Sequence, residues 1–210
     1  MAVETVIYTL RHAQTSYGAE HRYAGSVDVP LSDRGVRDCE QAAKAMAIAA
    51  QRVDVVVTSK MTRSIETARL LGYDPSGCIQ TDLCNERRFG ILEGRTWEEV
   101  PHIEPPILLI EVGGDMHSVN PRGGEPFEDV WQRAKGFRRF VLDQSEGRAV
   151  LVVSHGVFLQ MFHGVLRGTS CIESLATYPA SLELHTFRLS DGALADEFEP
   201  RLLSEAGAGF

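Results

Sequence analysis

The sequence predicts an α/β fold in three layers, α/β/α, with a mostly parallel central sheet. Three observations support this. Short apolar segments alternate with longer segments of helical periodicity, and the apolar segments lack a polar face, as in strands covered by helices on both sides. The length of 210 residues fits a single domain over 1–210 with one insertion. We expect that insertion, a lid or small subdomain, at 97–124.

Short runs of apolar and β-branched residues predict six strands. The first is the run V-I-Y-T-L, and the dipeptide Asp191-Gly192 predicts a hairpin turn between the last two. The predicted strands are 6–10, 53–58, 79–82, 149–153, 181–189 and 193–199.

Apolar residues at helical spacing predict the helices between these strands. Ser32 is a suitable N-cap for the first, while Gly72 and Gly168 are suitable residues to end two others. The predicted helices are 33 to about 51, 62–71, 96–100, 126–142 and 156–167. The segment 84–124 is otherwise irregular and rich in proline and glycine, which is typical of a lid or small subdomain.

The composition bounds the partners. With 43% hydrophobic residues the chain can bury a core, and its net charge of -8 argues against nucleic acid or an anionic membrane as partner. The N-terminus has neither the basic residues nor the apolar run of a targeting segment. Four cysteines without a CxxC pair favour free thiols and a cytoplasmic location. Association into a homodimer is compatible with this composition.

Three of the predicted strands end on unusual residues. Arg11-His12 follows the first, Ser59 and then Arg63 follow the second, and His155 follows the strand 149–153. Ligands of open α/β sheets bind outside the carboxyl ends of the strands, so these side chains are expected to converge. Two arginines and two histidines repel one another unless they hold an anion. A phosphoryl group, which guanidinium binds through paired N–H groups, is the natural occupant.

The same residues lie in motifs that resemble the histidine phosphatase superfamily, the phosphoglycerate-mutase-like proteins. The motifs appear in the family's order and cover most of the chain. They are R-H-A-Q-T at 11–15, R-Y-A-G at 22–25, D-V-P-L-S-D-R-G at 28–35, S-K-M-T-R-S-I-E-T-A at 59–68, N-E-R-R-F-G at 85–90, G-G-E at 123–125 and V-S-H-G at 153–156.

The resemblance implies a role for each residue of the site. His12 is expected to accept the phosphoryl group, and Arg11, Arg63 and His155 to complete the phosphate pocket. Glu86 is expected to protonate the leaving group and then to activate water. A phosphohistidine intermediate divides a slow hydrolysis into two easier steps. No metal or other cofactor is expected, because the arginines neutralise the charge.

Further residues are less strongly indicated. Gly25, Gly156 and Arg87 are expected at the phosphate or substrate site through their motifs. Arg22 has two open interpretations, a substrate contact or a structural pairing with Asp28. The five histidines outside the motifs are expected to be structural or exposed, namely His21, His102, His117, His163 and His185.

Hydrolysis is favoured over phosphoglycerate mutase activity. Four positions depart from the mutase pattern, although Arg87 matches a mutase substrate-binding arginine; the four are Gly18, Phe89, Trp97 and Val157. The segment 101–121 is expected to shape the leaving-group side. Its apolar run 107–110 is either a wall of that site or a contact that packs the lid onto the core.

Other mechanisms fit less well. V-V-S-H-G around Ser154 is not a G-x-S-x-G nucleophile elbow, and a zinc site on His12 and His155 lacks a third ligand and would compete with Arg11. Ala13 replaces the family glycine, which is tolerable if its φ is negative. A catalytically inactive phosphate-binding or scaffold protein is the remaining alternative.

Overall fold

The computed structural model describes residues 2–48, 52–145 and 147–204. Its centre is a six-stranded sheet in the order β3-β2-β6-β1-β7-β8, and a separate two-stranded sheet pairs β4 with β5. The strands are β1 (Glu4–Arg11), β2 (Val55–Ser59), β3 (Ile79–Thr81), β4 (Leu109–Val112), β5 (Asp115–Ser118), β6 (Ala149–Ser154), β7 (Glu183–Ser190) and β8 (Ala193–Leu202).

The central sheet is mostly parallel, as predicted. β1 and β2 both run parallel to β6, and β3 runs parallel to β2, whereas β7 and β8 are antiparallel. The register places Arg11 beside Ser154. The carboxyl ends of β1, β2 and β6 therefore lie at one edge of the sheet, and Arg11, Ser59 and Ser154 mark that edge.

Five α-helices surround the sheet in the described ranges. They are α1 (Ser16–Ala19), α2 (Asp33–Ile48), α3 (Thr62–Leu70), α4 (Phe127–Ser145) and α5 (Gly156–Arg167). The helix predicted from residue 33 to about 51 is described over Asp33–Ile48, and its predicted end at 49–51 lies outside the described residues. The predicted helix 96–100 is a 3-10 helix, Trp97–His102, that begins with a capping box. Across the described chain, no helix has the length and apolar character needed to span a bilayer.

The two faces of the sheet each bury an apolar core. Alternate residues of a strand point to opposite faces, so Val150 and Val152 of β6 join the core under α4 and α5. Leu151 and Val153 join the core under α2 and α3. This division confirms the three-layer prediction, since every central residue of β6 is apolar and buried.

The segment 97–124 contains a hairpin that the sequence did not predict. β4 and β5 are antiparallel and meet at the turn Gly113-Gly114. Ile110 and Val112 pack against the α4 and α5 core, while Leu108 is 56% exposed. The packing of Ile110 favours the second interpretation of the run 107–110, a contact that holds this segment on the core. Its role as a lid stays a prediction.

His163 of α5 lies buried between the helix and the sheet, where its Nε2 is 2.7 Å from Thr9 Oγ1. Burial, with the nearby His185 and Arg167, holds its pKa well below the usual range. Unfolded, the same ring titrates near 6.5. Acid therefore favours the unfolded state, and the stabilisation present above pH ~6.5 is lost as the pH falls.

We therefore expect His163→Gln, which can keep the Thr9 hydrogen bond, to reduce the acid sensitivity of folding. Between pH 7 and pH 5 the wild type should lose about 2 kcal/mol more unfolding free energy than the variant. Urea denaturation at both pH values measures the difference, and any constant cost of the substitution cancels. Equal losses would show that the folded protein accommodates a charged His163.

Candidate active site

His12 follows directly on β1, and its backbone N–H donates to Ser154 O at 2.9 Å. Its ring Nδ1 lies 2.7 Å from Ala13 O. A carbonyl oxygen only accepts, so Nδ1 carries the proton and Nε2 keeps its lone pair. Burial, followed by the charges of Arg63 and Arg11, holds the pKa of His12 well below its usual range. The ring is therefore neutral and presents an unprotonated nitrogen.

His155 is fully buried at the N-terminus of α5, and its ring centroid is 5.0 Å from that of His12. Arg63 Nε donates to His155 Nδ1 at 3.2 Å, so this nitrogen is the acceptor. His155 Nε2 then carries the proton and donates to Ser59 Oγ at 2.7 Å. Burial and the Arg63 charge lower the pKa of His155 well below the usual range. Both of its ring nitrogens are engaged.

Within the described part of the chain, every hydrogen-bond acceptor of the Arg63 side chain is a neutral group. Besides His155, its Nη1 donates to Val27 O at 2.9 Å and its Nη2 to Gly25 O at 2.8 Å. Gly25 has a φ of 53°, and a side chain there would overlap the Glu93 carboxylate. The loop at Gly25 can thus turn its carbonyl toward Arg63 only because the residue is glycine.

Arg11, at the end of β1, lies beside the same two histidines. Its Nη1 donates to Pro179 O at 3.0 Å, and its guanidinium carbon lies 4.7 Å from the Tyr178 ring centroid. Its Nε is buried and has no partner among the described residues. Two guanidinium groups with neutral partners thus flank the histidines, which is the charge balance of an anion site.

Glu86 faces the same end of α5. Its Oε1 accepts from the backbone N–H of Arg87 at 2.8 Å and of Phe158 at 3.1 Å, and its Oε2 from Val157 at 3.3 Å. The side chain is therefore held in place by the backbone N–H groups of its own loop and of the first turn of α5. Oε2 makes the single long contact and keeps more capacity for another partner.

The motif glycine Gly156 is also explained by its surroundings. It begins α5 between His155 and the amides that bind Glu86. A Cβ at this position would overlap the hydroxyl and ring of Tyr178. Close approach of that ring therefore requires glycine here.

The side chains of Arg87 and Arg22 are held by other partners than those of this cluster. Arg87 is 1% exposed; its Nε donates to Glu125 O at 2.7 Å and its Nη1 to Ser118 O at 2.8 Å. Burial lowers its pKa to about 10. Arg22 pairs with Glu20 at 2.6 Å and donates to Gly94 O at 2.8 Å.

Arg22 therefore forms a structural ion pair, but its partner is Glu20 and not Asp28. Asp28 instead accepts from the backbone N–H and the hydroxyl of Thr62, at the start of α3.

Some supporting residues have no role assigned from the sequence. Arg133 of α4 forms a two-point contact with Glu125 and donates to Asn85 O at 2.6 Å, so it fixes the loop that carries Glu86. Ser59 fixes the ring of His155. Glu125 and Ser59 stand in recognised motifs, but Arg133 has no such signal and lies 48 and 50 residues away from the two carbonyls it binds in this loop.

The alanine that replaces the family glycine is compatible with this arrangement. Ala13 is buried in the core under α2 and α3, and its backbone N–H donates to Thr67 Oγ1 at 3.1 Å. The described non-glycine residues with positive φ are His21, Leu182 and Asp191, so Ala13 has the negative φ that alanine tolerates.

Arg63→Lys is expected to lower kcat/KM for phosphate release about a hundredfold, because one ammonium group cannot replace the N–H groups that span His155 and two carbonyls while also contacting an anion. Steady-state kinetics measure the change. Arg69→Lys is the matched control, since Arg69 lies on the same helix and its side chain is 55% exposed. Near-wild-type kinetics for Arg63→Lys would remove Arg63 from the site.

Several known proteins are similar to this chain in sequence. It is 25% identical to phosphoglycerate mutase-like protein 4 of Arabidopsis thaliana, over 89% of this chain and 80% of the relative. It is 29% identical to phosphoserine phosphatase 1 of Hydrogenobacter thermophilus, over 76% and 74%. It is 30% identical to bifunctional protein Rv2228c of Mycobacterium tuberculosis over 97% of this chain but 54% of the relative, so the chain spans about half the length of that protein.

The fold is similar to that of solved structures as well. Bacillus stearothermophilus YhfR superposes with a TM-score of 0.75 at 25% identity, and the match covers 98% of each chain. The family model described as histidine phosphatase superfamily (branch 1) matches residues 7–193. This chain is therefore a member of the histidine phosphatase superfamily.

Proposed function

We propose that this protein hydrolyses a small phosphomonoester through a covalent phosphohistidine at His12. The observation that carries the proposal is the difference between the two imidazoles. His155 uses both ring nitrogens, for Arg63 and Ser59, whereas among the described residues His12 has a partner at Nδ1 alone and keeps the Nε2 lone pair. A neutral imidazole with a free lone pair between two guanidinium groups suits attack on a phosphoryl group.

In the first step His12 Nε2 attacks phosphorus, and the bond from phosphorus to the leaving-group oxygen breaks. Arg11 and Arg63 supply the positive charge that stabilises the phosphoryl oxygens in the transition state, with His155 as a further neighbour. Glu86 gives a proton to the departing oxygen. Of its two oxygens, Oε2 is the one with the single long hydrogen bond, so we assign the proton to it.

In the second step water attacks phosphorus and the phosphorus–nitrogen bond breaks. Glu86, now a carboxylate, takes a proton from this water, and inorganic phosphate leaves. The histidine returns to its neutral form with Nδ1 bound to Ala13 O, so the enzyme is ready for another cycle. The same carboxylate thus acts as acid and then as base.

Mutase activity is the second candidate, because relatives carry both phosphatase and mutase names. Against it, Arg87, the residue that matches a mutase substrate-binding arginine, is buried and engaged with Glu125 O and Ser118 O. Ser118 belongs to β5, so the hairpin of β4 and β5 contacts this guanidinium directly, and its Nη2 is buried without a partner among the described residues. Hydrolysis needs no substrate contact at Arg87.

A panel of phosphorylated metabolites, followed by phosphate detection, tests the proposal. It should include sugar phosphates, phosphoserine, phosphoglycerates, nucleotides and a generic aryl phosphate. Phosphate release from at least one member supports hydrolysis. Isomerisation of a phosphoglycerate without phosphate release would identify a mutase, and inactivity on every member, including the aryl phosphate, would support the scaffold alternative.

A further inference from the structure

The loop 177–182 makes three contacts with Arg11. The ring of Tyr178 lies 4.7 Å under the guanidinium carbon. Pro179 O accepts from Nη1 at 3.0 Å, and the backbone N–H of Leu182 donates to Arg11 O at 3.0 Å. Arg11 is separated from this loop by more than 160 residues, so the contact exists only in the folded chain.

These contacts engage one part of the guanidinium and leave another part without a hydrogen-bond partner among the described residues. Nη1 is used by Pro179, whereas Nε is buried without a partner among the described residues. Guanidinium groups bind phosphate best through two N–H groups on one edge. Nε–H is therefore a donor of this guanidinium that is left without a partner, while Pro179 O and the Tyr178 ring hold the group in place.

The Tyr178 ring also limits the position of α5. Its hydroxyl and ring lie against Gly156, next to His155, where a Cβ would overlap them. One aromatic ring thus contacts both Arg11 and the helix end that carries His155. Burial raises the pKa of the phenol, so Tyr178 stays neutral and brings no competing negative charge to the phosphate pocket.

We propose that Tyr178 is a positioning residue that orients Arg11 for phosphate binding by stacking under its guanidinium. This inference rests on the proposed function, because it concerns the same phosphate pocket. An arginine side chain without such support samples several rotamers and loses conformational freedom when phosphate binds. Stacking removes that freedom in advance, so the benefit should appear in phosphate affinity and in kcat/KM alike.

The test compares Tyr178→Phe with Tyr178→Leu in the whole protein. Phenylalanine keeps the ring, so its kcat/KM should stay within about twofold of wild type. Leucine removes the ring, and kcat/KM should fall about tenfold, the size of a partly desolvated cation–π contact. The inhibition constant of inorganic phosphate should rise by a similar factor. Loss of activity in Tyr178→Phe equal to that in Tyr178→Leu would overturn the stacking role.

Repeating the Tyr178→Leu substitution in an Arg11→Ala protein distinguishes an effect on the orientation of Arg11 from a general loss of packing. In Arg11→Ala the group to be oriented is absent, so adding Tyr178→Leu should change kcat/KM and phosphate affinity less than about twofold. The same tenfold loss in both backgrounds would overturn the proposal. Tyr178→Met, which fills a similar space without a π face, replaces the leucine variant if thermal unfolding shows that leucine disrupts the fold.

The role of Tyr178 can be tested even if the protein is not a phosphatase. If the wild type releases no phosphate from any substrate, binding of inorganic phosphate, measured by calorimetry, still reports on Arg11. Weaker binding in Tyr178→Leu but not in Tyr178→Phe would then support the positioning role alone. Unchanged phosphate binding in both variants would refute it, whatever the activity.

Discussion

Replacing His12 by alanine should lower the turnover number by about six powers of ten, the cost seen when a covalent nucleophile is removed from an otherwise intact site. The reason is structural. His12 Nε2 is the imidazole nitrogen of the pocket with a free lone pair, because His155 Nδ1 accepts from Arg63 and His155 Nε2 donates to Ser59. Rapid quenching with labelled substrate should trap acid-labile phosphoprotein in the wild type and none in the variant.

His155→Ala is the matched control for this experiment. It removes the other imidazole of the same pocket, so it also creates a small buried cavity, but it leaves the proposed nucleophile in place. This variant should turn over slowly and still form acid-labile phosphoprotein. Labelling that persists in His12→Ala and disappears in His155→Ala would assign the phosphoryl acceptor to His155 instead.

The convergence of the site could be predicted from the sequence because it depends on local patterns. Continuous apolar strands imply a parallel sheet, and a parallel sheet brings the carboxyl ends of its strands together. Arg11 and His155 stand at such ends, beside paired strands β1 and β6, and the structure brings them together as expected. Arg63 joins them because α3 begins three residues after β2 ends.

Other parts of the site depend on contacts between distant segments that leave no periodic signal. Tyr178 lies in an irregular loop, and nothing in the neighbouring sequence shows that its ring reaches Arg11 and Gly156. Arg133 stands in a helix where nothing in the sequence distinguishes it from an exposed charged residue, yet it binds the loop that carries Glu86. The hairpin of β4 and β5 has short strands with mixed polarity, so its pattern is too weak to separate from loop.

Glu86→Gln should separate acid catalysis from simple charge stabilisation. The amide oxygen of glutamine can keep the hydrogen bonds from Arg87 and Phe158, which are the shorter two, so the side chain should stay in place. What is lost is the proton at Oε2. An alkyl phosphate releases a strongly basic alkoxide, so its phosphorylation step should slow by about three powers of ten. An aryl phosphate with an acidic phenol needs little protonation and should phosphorylate His12 almost normally.

The second half of the reaction should then fail for both substrates, because the base that activates water is also missing. With the aryl phosphate, rapid mixing should show a burst of phenol equal to the enzyme concentration, followed by slow turnover and accumulated phosphoprotein. A Glu86 that acts only through its charge predicts equal losses for both substrates and no burst. Equal losses would therefore remove Glu86 as the acid, while a burst with slow alkyl cleavage requires a proton carried at this position.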